Sequence, residues 1–409
     1  MLFWLQTLIF AAQTALALLV SYLMLLTVTA WRANRRTEPL PAVPQHRFLI
    51  LIPAHNEEKL LPSLLDNLAE LDYPKNLYAT HVVADNCSDK TAVIARQHGA
   101  IAHERHNLDL RGKGYALQWL LQRLANDPHD AIVILDADTV VSPNFLRVMD
   151  ARLARGERVI QAYYAVRNPE SGWSASLRYA ALAVLHYLRP QGRMVLGGSA
   201  GLKGNGMVFT ADIMRQHEWS ASVTEDIEFH MTLLLNGERV TFAPDAVVWA
   251  EMPDSLEQSE TQNVRWEQGR LEMAKLYVPQ LLKKGWQGGR NGRFFTLFDA
   301  AMEHIIPPFS ILTGLSVLAL AASTASYIAQ RLFPNGSNLG FISLLLGIGT
   351  LFGQVIYLLA GLRMVNAPSS VYKTLLYAPV FIIWKIGQYI KILLGKNRQG
   401  WVRTARNES

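Results

Sequence analysis

The sequence predicts an α/β domain, a mixed and mostly parallel sheet between helices, held among membrane segments. Three observations predict it: short apolar runs alternate with helical patterns through the middle of the chain, those runs end in polar clusters, and both ends carry long stretches without charge. Short, fully apolar strands separated by helices read as parallel strands covered on both faces. Of 409 residues, 50% are hydrophobic and 18% charged, where an ordinary soluble domain carries about 25% charge. The deficit is local. Residues 1–31 carry no charged side chain, and between His304 and Leu362 the only one is Arg331. This pattern excludes a purely soluble protein, a disordered one and a wholly embedded transporter.

Taken in order, residues 1–31 form an N-terminal transmembrane helix, since the apolar run exceeds the roughly 20 residues that cross a bilayer. A cleaved signal peptide fits less well, because no basic residue precedes Arg32 and a signal begins with charge. Residues 32–46 form a basic, proline-bearing linker with Pro39, Pro41 and Pro44. Residues 47–254 are expected to form the α/β domain and 255–306 to contain interfacial helices. Residues 307–363 hold a transmembrane hairpin, and 364–409 hold an interfacial helix and a basic tail. The run 375–394 is shorter and carries Lys385, Gln388 and Lys391 at helical spacing. The excess of basic residues on the cytoplasmic side favours an amphipathic helix lying in the interface there.

The net charge of +6 comes from 39 Lys+Arg against 33 Asp+Glu. Arg32, Arg35 and Arg36 follow the first apolar run, and Lys396, Arg398, Arg403 and Arg406 end the chain. Basic residues beside apolar runs mark cytoplasmic flanks, so the excess points to a lipid surface and not to nucleic acid. The lone Cys87 excludes an internal disulfide framework and multi-cysteine zinc sites.

In the middle region three strands are expected, each leading into a helix: FLILI before a helix from Glu57, THVVAD before one from Asp89, and AIVILDAD before one near Pro143. Functional groups in such sheets gather at the carboxyl ends of strands. Asp136 and Asp138 at such an end can chelate a hard cation, because Mg²⁺ takes one or two protein carboxylates and completes its octahedron with water and phosphate oxygens. A strand-end turn capping the next helix is the plainer account of the same pair.

The ordered set PAHNEE, ADNCSD, RGKGYAL, DADT, TED and QNVRW resembles the membrane-bound members of glycosyltransferase family 2, among them cellulose, chitin and hyaluronan synthases and ceramide glucosyltransferases. The resemblance runs from about Leu49 to Gly269. It implies a GT-A nucleotide-sugar-binding fold and inverting transfer from a UDP-sugar with Mg²⁺ or Mn²⁺. It places Ala54, Asn56, Glu57 and Asp85 around the uridine, with Lys113 and Asp136 at the diphosphate, Asp138 on the metal with Asp136 beside it, and Asp226 of TED as the base. Glu225 and Trp266 are expected at the acceptor, and Gln262 and Arg265 at the leaving diphosphate. Inverting transfer requires a carboxylate to take the acceptor proton, and an Arg fork suits a diphosphate.

Glu225 has a second reading, since Ser222 and Glu225 have the spacing of a capping box. Glu57 and Glu58 are also what a helix N-terminus favours, and QNVRW also suits a helix at lipid headgroups. The tail Trp401, Arg403, Thr404 and Arg406 is similar to the C-terminal region of hyaluronan synthases that closes over the nucleotide; a basic tail on anionic lipid is the other reading. The glycine-rich segment 197–209 departs from the commoner family form, which leaves its contacts to the donor sugar open.

Two acceptors follow from the resemblance. A growing β-linked polysaccharide is expected first. A membrane lipid is the alternative, because three spans are few for polymer export and a pore would need oligomers or an export partner. Readings of another class are a nucleotidyltransferase, which needs neither TED nor QNVRW, and a non-catalytic membrane scaffold. The protein is expected in a bacterial inner membrane with its catalytic domain in the cytoplasm.

Overall fold

The computed structural model describes residues 2–33, 40, 43–219, 224–252, 256–288, 293–333 and 337–394, without the side chains of 256–259, 261, 262, 265 and 393. Its centre is an eight-stranded sheet in the order β3-β2-β1-β4-β7-β6-β8-β5. The strands are β1 (Phe48–Ala54), β2 (Tyr78–Asp85), β3 (Ile101–Arg105), β4 (Ala131–Ile134), β5 (Thr139–Val141), β6 (Val159–Val166), β7 (Met207–Thr210) and β8 (Thr241–Ala250). The half from β3 to β4 is parallel as expected. β7 then enters antiparallel to both β4 and β6, and β5 closes the edge antiparallel to β8, while β6 and β8 run parallel.

Alternation within β1 shows why the strand is apolar throughout. Phe48, Ile50 and Ile52 pack on one face with Leu61, Leu64, Leu65 and Leu68 of α2 (Leu61–Ala69) and with Ala95 of α3 (Thr91–Gln97). Leu49 and Leu51 pack on the other with Ala116, Leu117 and Leu120 of α4 (Lys113–Arg123). A strand with helices on both faces has no solvent side, so its period-2 alternation carries no polar residues. Truncating Ile50 to Ala would cost about 2–5 kcal/mol. α5 (Phe145–Ala154) joins the first face, while α8 (Ala211–Gln216) and α9 (Glu225–Asn236) join the second.

The helices start later than the sequence suggests. The Glu57 carbonyl accepts from the amides of Leu60 and Leu61, which makes a turn before α2. Asp89 accepts from the Thr91 amide at 2.9 Å and so lies outside α3. Asp and Glu that bond the backbone locally favour turns over helix interiors.

A helical stretch crosses behind the sheet as α6 (Trp173–Ala183), one π-helical turn at Val184–Leu188, and α7 (Arg189–Leu196). α7 crosses α1 (Leu2–Ala33) at Gly192, where a Cβ would meet the Leu26 carbonyl. α10 (Leu256–Gln287) and α11 (Phe294–Ile305) lead to the apolar helices α12 (Phe309–Leu332) and α13 (Leu339–Met364). The chain continues through α14 (Ser369–Thr374), a 3₁₀ turn at Leu375–Tyr377 and α15 (Ala378–Leu393). A further 3₁₀ turn spans Lys75–Leu77.

Among the described residues four helical stretches are long and apolar enough to cross a membrane: α1, α12, α13 and Ser369–Ile392. The last was expected to lie in the interface, and its length and composition also permit crossing. Its polar residues meet partners on α10. Lys385 Nζ lies 3.0 Å from Glu267 and donates to Asn263 at 3.0 Å. Gln388 donates to Glu260 at 2.8 Å, and Lys391 sits 3.2 Å from the same carboxylate.

Buried charges join the anchor to the sheet domain. Arg193 of α7 pairs with Asp299 at 3.2 Å and with Glu303, both on α11, while Tyr22 of α1 donates to Asp299. Charges this deeply placed are tolerable only when paired.

Candidate active site

Beyond the carboxyl end of β4 the chain turns through Leu135, Asp136, Ala137 and Asp138 before entering β5. Both carboxylates line a cavity of about 1130 Å³, together with Glu57, Lys113, Glu225, Asp226 and Trp266. Lys113 begins α4, directly after Gly112, whose φ of +113 lies outside the range comfortable for other residues. Its ammonium donates to Asp136 at 2.6 Å and to the Gly204 carbonyl at 2.5 Å. The Asp136 amide in turn donates to Asn205 at 3.1 Å, so the β4 turn and the glycine-rich segment hold one another.

α9 begins at Glu225, with Asp226 in its first turn. Thr224 is the cap residue and makes no side-chain cap bond. This overturns the capping-box reading of Glu225, because a capping box places Glu three residues inside the helix and here Glu225 is the first. Ser222, its supposed partner, lies outside the described residues. Burial pushes the Glu225 carboxyl up to about 7; Lys113 opposes the rise and Asp226 adds to it. Asp226 is likewise raised by burial, against the pull of Lys113 and Lys203. Lys113 itself is raised, because Asp136, Glu225 and Asp226 outweigh the effect of its burial.

The approach is close. A Cβ at Gly204, where φ is +78, would lie 3.3 Å from Asp226 Oδ2 and 3.9 Å from Lys113 Nζ. Only glycine combines that conformation with that clearance. Lys203, one residue earlier, reaches Glu303 at 2.9 Å. Burial and the neighbouring Arg193 and Arg189 lower its ammonium to about 7. The arrangement supplies a carboxylate next to ammonium groups, which is what proton abstraction beside a departing anion requires.

Away from the strand ends the same cavity becomes apolar. Its wall there includes Ala180 and Val184, Phe309 of α12, Val355 of α13, and Phe381 and Ile382 of α15. Trp266 of α10 is 40% exposed and lies on the wall as well. One turn on, Arg270 donates to the carbonyls of His304 and Ile306 at 3.3 Å each, which fixes α10 against the entry to α12.

The expected residues divide into three groups. Glu57, Lys113, Asp136, Asp138, Glu225, Asp226 and Trp266 meet on the cavity wall. Ala54, Asn56 and Asp85 are beside the lining residues Pro53, His55 and Glu57 or on the next strand: Asn56, at φ +57, accepts from the Ser88 amide at 2.8 Å, and Asp85 is buried with Arg105 at 2.5 Å. Arg105 also donates to the Leu110 carbonyl, so Asp85 anchors the loop that leads to Lys113. Gln262 and Arg265 belong to α10, with side chains outside the described residues, and Trp401, Arg403, Thr404 and Arg406 lie wholly outside them. Sequence reasoning missed Lys203, Glu303 and Arg178 on the cavity wall. Lys203 stands in the glycine-rich segment, which was a usable signal, whereas nothing local marks the other two.

The donor set fits a divalent cation. Asp136 faces a positive group, the Lys113 ammonium, at hydrogen-bond distance, and Asp138 shares its cavity wall. Among the described residues no cluster of three or more His, Cys, Asp or Glu forms a closed metal cage. Two carboxylates suit Mg²⁺ or Mn²⁺ completed by phosphate oxygens and water.

An α/β sheet with paired carboxylates beyond a strand end, opening toward apolar helices, defines a membrane-associated GT-A transferase fold. Residues 44–269, more than half of the chain, match the family described as "Glycosyltransferase like family 2", and the chain belongs to that family. It is a glycosyltransferase, which leaves the nucleotidyltransferase and scaffold readings without support. A probable glycosyltransferase, YdaM, of Bacillus subtilis is 22% identical over 93% of this chain and 90% of that protein. A beta-monoglucosyldiacylglycerol synthase of Synechocystis is 25% identical over 72% of this chain and 65% of that protein. Among solved structures, the mannosyltransferase PcManGT from Pyrobaculum calidifontis, in complex with GDP-Man and Mn2+, aligns with a TM-score of 0.50 at 18% identity, covering 86% of this chain and 97% of that one. Four long apolar helices make this a membrane protein.

Proposed function

We propose that this protein transfers one sugar from a UDP-sugar to a membrane lipid at the cytoplasmic face, with inversion. The observation that carries the reading is the continuity of the cavity from Asp138 and Asp226 to the apolar wall of α12, α13 and α15. Acyl chains match the apolar part of that wall, while Ser310, Thr313, Gln354 and Lys385 on the same helices can meet a polar head. The beta-monoglucosyldiacylglycerol synthase among the relatives supports the same acceptor class. QNVRW favours the polysaccharide acceptor as the second reading.

In the mechanism, the acceptor hydroxyl attacks the anomeric carbon while the bond from that carbon to the phosphate oxygen breaks. Asp226 takes the hydroxyl proton, and the electron pair leaves with UDP. The raised pKa of Asp226 makes it a stronger base once ionised. Lys113, at the N-terminus of α4, faces the departing diphosphate with a point charge and free helix amides. Asp138 and Asp136 would hold Mg²⁺ or Mn²⁺, which supplies further charge to the diphosphate. Trp266 seats the acceptor head, and Glu57 borders the nucleoside.

The test gives full-length protein in detergent a panel of labelled nucleotide sugars with native lipid extract. A single-sugar lipid is expected. A ladder of sugar units would establish the polysaccharide reading instead.

A further inference from the structure

Arg178 of α6 lines the cavity and is 5% exposed. Its Nε and one terminal nitrogen are buried and have no hydrogen-bond partner among the described residues. Other buried cations near the cavity have partners: Lys203 with Glu303, Lys385 with Glu267, Arg193 with Asp299, and Arg189 with the Tyr357 hydroxyl. A buried guanidinium with no carboxylate partner among the described residues bears a large desolvation cost, and burial lowers Arg178 to about 10. Arg178 lies within electrostatic reach of Lys385, and it shares the wall with Leu177, Ala181, Phe381 and Ile382. It therefore stands on the apolar side of the cavity and not among the strand-edge carboxylates.

We infer that Arg178 receives the phosphate of the acceptor lipid, so that the acceptor class is a lipid whose head carries both a phosphate and the reacting hydroxyl. This rests on the lipid-acceptor reading and narrows it. The planar fork of an arginine matches phosphate oxygens in a two-bond arrangement, and the surrounding apolar wall accepts the chains. A neutral diacylglycerol would leave the guanidinium unpartnered.

The test measures binding to the full-length protein in detergent, using fluorescent dioleoylphosphatidylglycerol and fluorescent dioleoylglycerol with identical chains. Wild type is expected to bind the phosphate-bearing lipid at least about tenfold more tightly, the scale of one charge-assisted pair. Arg178→Gln should erase that preference without weakening the neutral lipid, and Arg178→Lys should restore part of it; both are compared at equal thermal midpoint. Millimolar inorganic phosphate should compete poorly. Efficient competition would mean a site for free phosphate and would overturn the inference, as would equal binding of the two lipids or an unchanged preference in Arg178→Gln. The transfer assay separates the two readings. Sugar transfer to dioleoylglycerol that is indifferent to Arg178 preserves a lipid acceptor but removes its phosphate, whereas a sugar ladder without glycolipid removes the lipid acceptor itself.

Discussion

At the strand-edge end of the cavity the charges answer one another: Lys113 bonds Asp136, Lys203 bonds Glu303, and Glu225 and Asp226 stand at the start of α9 beside both lysines. At the membrane end Arg178 faces an apolar wall built by α12, α13 and α15. The first end is held by contacts within the chain, the arrangement that transition-state charge stabilisation favours. The second leaves polar need unmet, which suits a site completed by its ligand. On the proposed reading, one cavity pairs a reaction centre at the strand edge with a receiving wall for an acceptor that is half polar and half apolar.

The sharpest way to break this comparison is at the strand-edge end. Asp226→Asn should lower turnover by about 10²–10⁴-fold, the usual worth of a positioned base, while UDP-sugar binding measured by calorimetry stays near wild type. Full turnover in that variant would take Asp226 out of the mechanism.

Next in size is the joint between the two ends. Arg193→Met leaves Asp299 and Glu303 without their shared cation and should cost about 3–5 kcal/mol, seen as a large drop in thermal midpoint in detergent. A midpoint within a degree of wild type would show that the cluster is not what couples α7 to α11.

Smaller is Gly204→Ala. The positive φ and the 3.3 Å approach to Asp226 should cost about 1–2 kcal/mol and displace the base, reducing kcat more than the affinity for the donor. Equal losses in both would place Gly204 in donor binding.

The smallest effect is in pH dependence. Burial, opposed by Lys113, holds Glu225 at about 7 in the fold against an ordinary 4.5. A raised carboxyl stabilises the fold fully below the unfolded value and loses that contribution as pH rises through the folded one. Thermal stability should therefore decline between pH 4.5 and 7, and Glu225→Gln should flatten that decline. An identical slope in the variant would show that Glu225 does not titrate in this window.

Much of the fold was legible because it depends on local apolar pattern. Strands β1, β2 and β4 and the apolar helices follow from runs that only burial or lipid can satisfy. The antiparallel entry of β7 was not legible, because pairing partners far apart in sequence leave no mark on a four-residue strand. Helix starts were misread at Glu57 and Asp89, where side-chain and backbone bonds build turns first. Asp136, Asp138, Glu225 and Asp226 were singled out by an ordered set of short motifs, and they share one cavity wall. The partner of Asp85 was not legible: Arg105 lies 20 residues along the chain, and only the pairing of β2 with β3 brings the two together.

By itself the sequence determined the two solvents this protein faces and the acidic groups that could do chemistry, since both are properties of residue type and spacing. Tertiary structure alone decided which charges meet. Lys203 finds Glu303 across 100 residues, and Arg178 finds no partner among the described residues. Charge pairing in a buried site depends on distances of a few ångströms, and α6, α11 and α15 acquire those distances only when they pack around the same cavity.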